Sequence, residues 1–186
     1  MILFDLDGTL IDSIKGIYDC YILAMSELKV EPVSKIEFRS NIGASFDKMI
    51  CKLHKDIMKD NLAVQKAISV FRQNYDTTGY KSYQVYEGIE ELLQYLHEGG
   101  FKIGVVSNKK NYQVERILKK EFGKVQISPY GKLSDPEWTK KCQTKKINNL
   151  HKVIAFTGDT EEDKECATAV NATFIYAEYG YGIVKD

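Results

Sequence analysis

The pattern of apolar and polar positions divides the chain into two regimes. In the first, apolar residues return at helical spacing. Ile14, Ile17, Tyr18, Tyr21, Ile22, Met25 and Leu28 share one face of a helix expected over 12–28, with Asp12 or Ser13 placed to cap its start. Pro32 breaks the pattern. Ser34 and Glu37 then have capping-box spacing, which predicts a short helix ending near Gly43. Further helices are expected over 45–53 and 62–74. No strand signal occurs between about 13 and 82, and Arg39, Lys48, Lys52 and Lys55 in this stretch read as a solvated face.

From Tyr83 onward, short apolar runs alternate with helical patterns. A helix over 88–97 carries Ile89, Leu92, Leu93 and Leu96 on one side and is stopped by Gly99-Gly100. A buried strand follows over 103–106, then a helix over 112–122 and a strand over 125–127. A helix with Ile147 and Leu150 as its apolar face precedes a strand over 153–156. A helix over 161–170 and a strand over 173–177 close the series. With the apolar run Ile2-Leu3-Phe4 at the start, these make five strands, and their alternation with helices argues an α/β fold with a parallel sheet. The helical stretch is inserted after the first strand. Ligands of such sheets bind beyond the carboxyl ends of the strands, and Asp5, Ser107 and Asp159 all fall at those ends.

The first strand runs into Asp5-Leu6-Asp7-Gly8-Thr9. Two carboxylates this close repel unless a cation sits between them, and Gly8 lets the chain turn sharply. At a strand end beside a turn, such a pair looks like half of a Mg²⁺ site, since Mg²⁺ prefers oxygen ligands and keeps several waters.

Asp-x-Asp-Gly-Thr directly after an apolar strand resembles the first signature of the haloacid dehalogenase-like hydrolase superfamily. The resemblance implies a Rossmann-like core over 1–12 and 83–186, with 13–82 as an inserted all-helical cap that selects the substrate. It also implies that Asp5 is a nucleophile that becomes an aspartyl phosphate, and that Asp7 is general acid and then general base. The chemistry suits the pair: a carboxylate nucleophile splits one hard hydrolysis into two displacements, and a second carboxyl protonates the leaving alkoxide. Ser107 matches the family's Ser or Thr that donates to a phosphate oxygen, and Ser107-Asn108-Lys109 is similar to phosphoglycolate-phosphatase-like members. Gly8, Thr9, Ser107 and Asn108 are the candidate substrate-binding positions.

Gly158-Asp159-x-x-x-Asp163 resembles the acidic motif that completes the family's Mg²⁺ site. The resemblance makes Asp5, Asp7 (through its carbonyl), Asp159 and Asp163 the metal set, with Asp163 binding through water or orienting its neighbours. Glu161 and Glu162 read as ordinary first-turn acids. The sequence departs from the family pattern at its lysine: no Lys-Pro precedes the Gly-Asp motif. A site gathering several carboxylates and a phosphate still needs a cation. The helix carrying Ile147 and Leu150 should start near 140–145. Lys141 is the first choice there, ahead of Lys140 and Lys145, with Lys132 and Lys146 as solvated charges. The tail Tyr176-Ala-Glu-Tyr-Gly-Tyr-Gly182 reads as a strand and a flexible turn.

Composition narrows the function without setting it. The 186 residues suffice for one core with an insert, and 44% are hydrophobic, too many for a mostly disordered chain. Lys+Arg and Asp+Glu both number 26, so no global field favours nucleic acid or an anionic membrane. No apolar run is long enough to span a bilayer, and no signal peptide precedes the first strand. Four cysteines without Cys-x-x-Cys spacing read as reduced thiols. These features lead to the expectation of a cytoplasmic protein. The leading reading is a Mg²⁺-dependent phosphatase acting on a small phosphorylated metabolite. A phosphomutase using the same two aspartates and a non-catalytic phosphate-binding scaffold are the alternatives, and the oligomeric state is open.

Overall fold

The computed structural model describes residues 1–42 and 46–184. The expected helix end at Gly43 and helix start at Ser45 lie outside the described residues. The chain divides into two compact units, one of Met1–Asp12 with Gln84–Asp186 and the other of Ser13–Tyr83.

The first unit is built on a five-stranded parallel sheet, β1 (Ile2–Phe4), β4 (Ile103–Lys110), β5 (Ile127–Lys132), β6 (Ala155–Gly158) and β7 (Thr173–Tyr176), in the order β5-β4-β1-β6-β7. Helices α5 (Ile89–Glu98) and α6 (Asn111–Glu121) pack beside β4 or β5, and α7 (Lys140–Leu150) and α8 (Glu161–Thr168) beside β4, β6 or β7. The result is the Rossmann-like α/β architecture that the strand pattern implies. Leu3, Val106 and Phe156 from three adjacent strands meet Ile147, Val153, Cys166 and Ala167 in one buried cluster. Each large apolar side chain buried there contributes about 1.5–3 kcal/mol. A two-residue antiparallel ribbon, β2 (Ile11–Asp12) with β3 (Gln84–Val85), joins the two segments of this unit.

Three expectations need correction. The third strand starts at Ile127, not Val125, because residues 122–126 make the turn out of α6, with the Val125 N–H donating to the Phe122 carbonyl. The strand then continues through Pro129, which is tolerated because β5 lies at the sheet edge. The fourth strand is Ala155–Gly158 rather than 153–156. Leu150, assigned to the apolar face of α7, is 79% exposed, and Thr144 and Ile147 face the core instead.

The second unit consists of α1 (Ile14–Leu28), α2 (Lys35–Arg39), α3 (Phe46–Leu53) and α4 (Asn61–Tyr75), with two short 3-10 turns. Ser34 accepts the Glu37 N–H to start α2, and Asp60 accepts the Leu62 and Ala63 N–H groups to start α4. Ser13 is the N-cap of α1 but makes no side-chain cap bond, and the Asp12 carboxylate accepts the Tyr181 hydroxyl. Phe46 stacks on Phe71 at 3.8 Å between ring centroids, and Phe71 on Tyr75 at 5.1 Å. Arg39, Lys48, Lys52 and Lys55 are exposed. Among the described residues no helix is long and apolar enough to cross a membrane.

Close packing in this unit depends on Gly16 of α1, where a Cβ would press on the Gly79 carbonyl. That neighbour is backbone and cannot rotate away. Gly16→Ala should therefore destabilise the unit by about 1–3 kcal/mol, the usual cost of overpacking. Denaturant unfolding would measure it, and an unchanged midpoint would show that the backbones separate freely.

Candidate active site

The site forms where β1, β4 and β6 end on the same edge of the sheet. Asp5 follows β1, and its N–H donates to the Thr157 carbonyl of β6 at 2.8 Å. The chain then folds back on itself. The Leu6 carbonyl accepts the N–H groups of Thr9, Leu10 and Ile11, and Gly8 takes a left-handed φ of +81°. A side chain at Gly8 would also collide with the Asp159 carboxylate, so glycine is required there twice over.

Asp159 follows β6 and is wholly buried. Its Oδ2 accepts the Tyr181 N–H at 2.8 Å and the Gly182 N–H at 3.2 Å, and Thr9 Oγ1 donates to its Oδ1 at 3.4 Å. The tail read as a flexible turn thus holds an acid of the site, and Tyr179 ties it down by donating its hydroxyl to the Thr9 carbonyl at 2.7 Å. Asp163 completes a capping box with Thr160: its Oδ2 accepts the Thr160 N–H and hydroxyl at 3.0 and 2.6 Å.

The lysine at the centre is Lys140, not Lys141. Lys140 Nζ donates to Asp5 Oδ1 and to Asp163 Oδ1, both at 2.8 Å, and all three side chains are buried. Lys141 is exposed and pairs with Glu165 at 3.4 Å; Lys145, the other alternative, is also exposed. Thr139 caps α7 by accepting the Cys142 N–H, which makes Lys140 the first helical residue. Two helical turns separate Lys140 from Ile147, so the two share the buried face, and Lys141 is rotated off it.

Asp7 meets a cation that the sequence reading did not single out. Lys109, buried at the end of β4, forms an ion pair with Asp7 Oδ1. β4 runs on to Lys110, past the end read from the sequence, and both Ser107 and Lys109 are buried on it. Ser107 is buried, and its Oγ accepts the Lys109 N–H at 3.2 Å. Asn108 Nδ2 donates to Glu162 Oε2 at 2.8 Å, so Glu162 does more than line a helix start.

The charges explain one another. Burial, reinforced by Asp163, Asp159 and Asp7, holds the Asp5 carboxyl well above its ordinary range despite the pull of Lys140. Burial likewise raises Asp159, against the two tail N–H groups. Burial alone would push Lys140 down, but Asp163, Asp5 and Glu162 outweigh it and hold the ammonium above its usual value. Carboxylate oxygens of Asp5, Asp159 and Asp163 lie within 4.8 Å of one another, and this buried triad could hold a metal ion. One ammonium against three carboxylates leaves an excess of negative charge, and a hard divalent cation with oxygen ligands fits that donor set.

The chain is similar to known proteins along nearly its whole length. The family model described as haloacid dehalogenase-like hydrolase matches residues 2–177. Phosphoglycolate phosphatase of Vibrio parahaemolyticus is 29% identical over 196 residues, covering 97% of this chain and 84% of that protein. The phosphoglycolate phosphatase of Aquifex aeolicus is 29% identical over 191 residues, with 97% and 85% covered. A haloacid dehalogenase-like family protein from Streptococcus pneumoniae superposes with a TM-score of 0.85 at 22% identity, over 97% of this chain and 85% of that one. Mycobacterium tuberculosis protein tyrosine kinase A superposes at 0.81 and 23% identity, over 100% and 86%, so the fold is common to differently named proteins. By the match along nearly its whole length, the chain belongs to the haloacid dehalogenase-like hydrolase family.

Proposed function

We propose that this protein is a Mg²⁺-dependent phosphatase that hydrolyses a small phosphate monoester through an aspartyl-phosphate intermediate. The observation that carries this reading is Lys140 held between Asp5 and Asp163 inside a buried acidic cluster. Phosphoglycolate, named for the relatives, is the first substrate to test. The four cysteines form no disulfide, which suits a reducing, cytoplasmic setting.

Asp5, Asp159 and the Asp7 carbonyl would hold Mg²⁺, with Asp163 acting through water, and the bound ion would supply positive charge to the site. The Asp5 carboxylate attacks phosphorus and the ester oxygen leaves, taking a proton from Asp7. Asp7 then removes a proton from the water that attacks the aspartyl phosphate, releasing inorganic phosphate and restoring Asp5. Lys140 lowers the repulsion between Asp5 and the arriving phosphate. The Ser107 hydroxyl donates to a phosphoryl oxygen, and Gly8, Thr9 and Asn108 shape the rest of the anion site. Lys109 pairs with the Asp7 carboxyl and restricts its orientation. Asp163, whose oxygens already serve Lys140 and Thr160, mainly orients the lysine.

A panel of phosphate esters assayed for inorganic phosphate, with and without Mg²⁺, tests the reading directly. Asp5→Asn should lower turnover by orders of magnitude while the fold survives. Wild-type turnover by that variant would remove the nucleophile from the mechanism, and rearrangement without phosphate release would make the enzyme a mutase.

Lys140→Ala should cut kcat by about two to three orders of magnitude, the size of a lost contact to a developing oxyanion. Lys141→Ala, which breaks only a surface pair, should leave kcat within about twofold. Steady-state kinetics on both variants, with a melting curve to confirm folding, decides which lysine acts. Equal losses would contradict the assignment.

The raised carboxyls link metal binding to pH. Asp5 and Asp159 hold protons in the metal-free fold at pH values where the unfolded chain has lost them. Their contribution to stability is present at low pH and is lost as pH rises through the raised values. Mg²⁺ binds the ionised form and so displaces those protons. The rise in Tm on adding Mg²⁺ should therefore grow between mildly acidic and mildly alkaline pH. A Mg²⁺ effect that is constant or larger at acidic pH would separate these carboxyls from the metal.

A further inference from the structure

At the amino ends of β4, β1 and β5, opposite the candidate active site, lies a cleft of about 360 Å³ whose lining includes His97, Lys102, Gln126, Ser128 and His151. Ile2 is level with Ile103, and Ile103 with Ile127, so this is the start of the three strands, whereas Asp5 and Ser107 stand at their ends. The lining contains a lysine and two histidines but no carboxylate. Among the described residues, none of the three is engaged in an ion pair.

This charge pattern is local. The larger cleft beside α5 and α6, about 790 Å³, mixes Glu90, Glu91 and Glu121 with Lys119, Lys120 and Lys124 and has no preferred sign. In the smaller one the nearby helix end does not supply the missing negative charge. The carbonyls of Tyr95, Leu96 and His97 at the end of α5 are taken by the N–H groups of Gly99, Phe101 and Gly100. Ser128 and Gln126 add a hydroxyl and an amide able to donate.

We propose that this cleft is a second anion site, taking a phosphate-type oxyanion on Lys102, His97 and His151, with Ser128 and Gln126 as neutral donors. An ammonium forms charge-assisted hydrogen bonds to such an ion, and the two imidazole rings each offer a ring N–H as a further donor. The cleft volume is at the low end of ligand pockets, roughly 300–1,000 Å³. It admits either free phosphate or the phosphoryl end of a small metabolite.

The chain has three histidines, and His54 belongs to the other unit, so their ring C–H resonances report this site separately. In metal-free protein at constant pH and ionic strength, added inorganic phosphate should move the His97 and His151 resonances along a saturating curve. His54 should not move. Lys102→Ala should weaken the apparent Kd about fivefold or more, as expected for one lost charge-assisted contact, and leave ester turnover at the wild-type rate. Methylphosphonate supplies the second arm: tighter binding than phosphate assigns the site to an organic phosphate, and weaker binding to the free ion. Linear shifts without saturation, equal movement of all three histidines, or a curve unchanged by Lys102→Ala would overturn the proposal.

Discussion

A buried ammonium has to be paired, and the arrangement at the sheet edge follows from that constraint. Lys140 is 3% exposed, and its partners Asp5 and Asp163 are buried as well. Removing one partner of such a buried set typically costs about 3–5 kcal/mol, because the remaining charge is stranded. The pairing fixes the start of α7 against the end of β1 and the first turn of α8. It also sets the sign of the site. The lysine neutralises only part of the acid cluster, and the remaining negative charge is what makes the cluster suited to a divalent cation.

The two basic groups near the acids are held in different ways. Lys140 is fixed from a helix and touches two carboxylates; Lys109 is fixed from a strand end and touches Asp7. Each aspartate of the first motif therefore has its own cation, carried on a different element. That separation lets Asp5 and Asp7 lie close in sequence without sharing a counter-charge.

The sequence made the acids easy to find because their signal is local. Asp5 and Asp7 sit in a short motif, and Asp159 follows an apolar strand and a glycine. The sheet was legible for the same reason, apart from β5, where Pro129 looks like a terminator unless the strand is known to lie at an edge. The lysine was harder. Four lysines crowd residues 140–146, and choosing among them required the phase of the helix. The helix is phased by Ile147 and by the Thr139 cap, whereas Leu150, used as a second apolar marker, is exposed and gave no true phase. Lys109 was missed because the strand was read as 103–106, whereas β4 runs to Lys110. The tail was missed because it acts through backbone N–H groups, which leave no mark in side-chain chemistry beyond the glycines that allow close approach.

The grip of the tail on Asp159 affects how the protein is made. Tyr181 and Gly182 secure Asp159, Tyr179 bonds to Thr9 across 170 residues, and Lys140 reaches Asp5 across 135. None of these contacts can form while the later residues are still unsynthesised. At roughly 5–20 residues per second, the ribosome needs on the order of ten to thirty seconds to pass from the first motif to the tail. Until Lys109 and Lys140 have been made, the nascent chain carries the Asp7 and Asp5 carboxylates without the cations that pair with them in the finished fold. A complete acid cluster is thus one of the last features to appear, and a chain truncated before Tyr181 would leave the ribosome with Asp159 missing two of its hydrogen-bond donors.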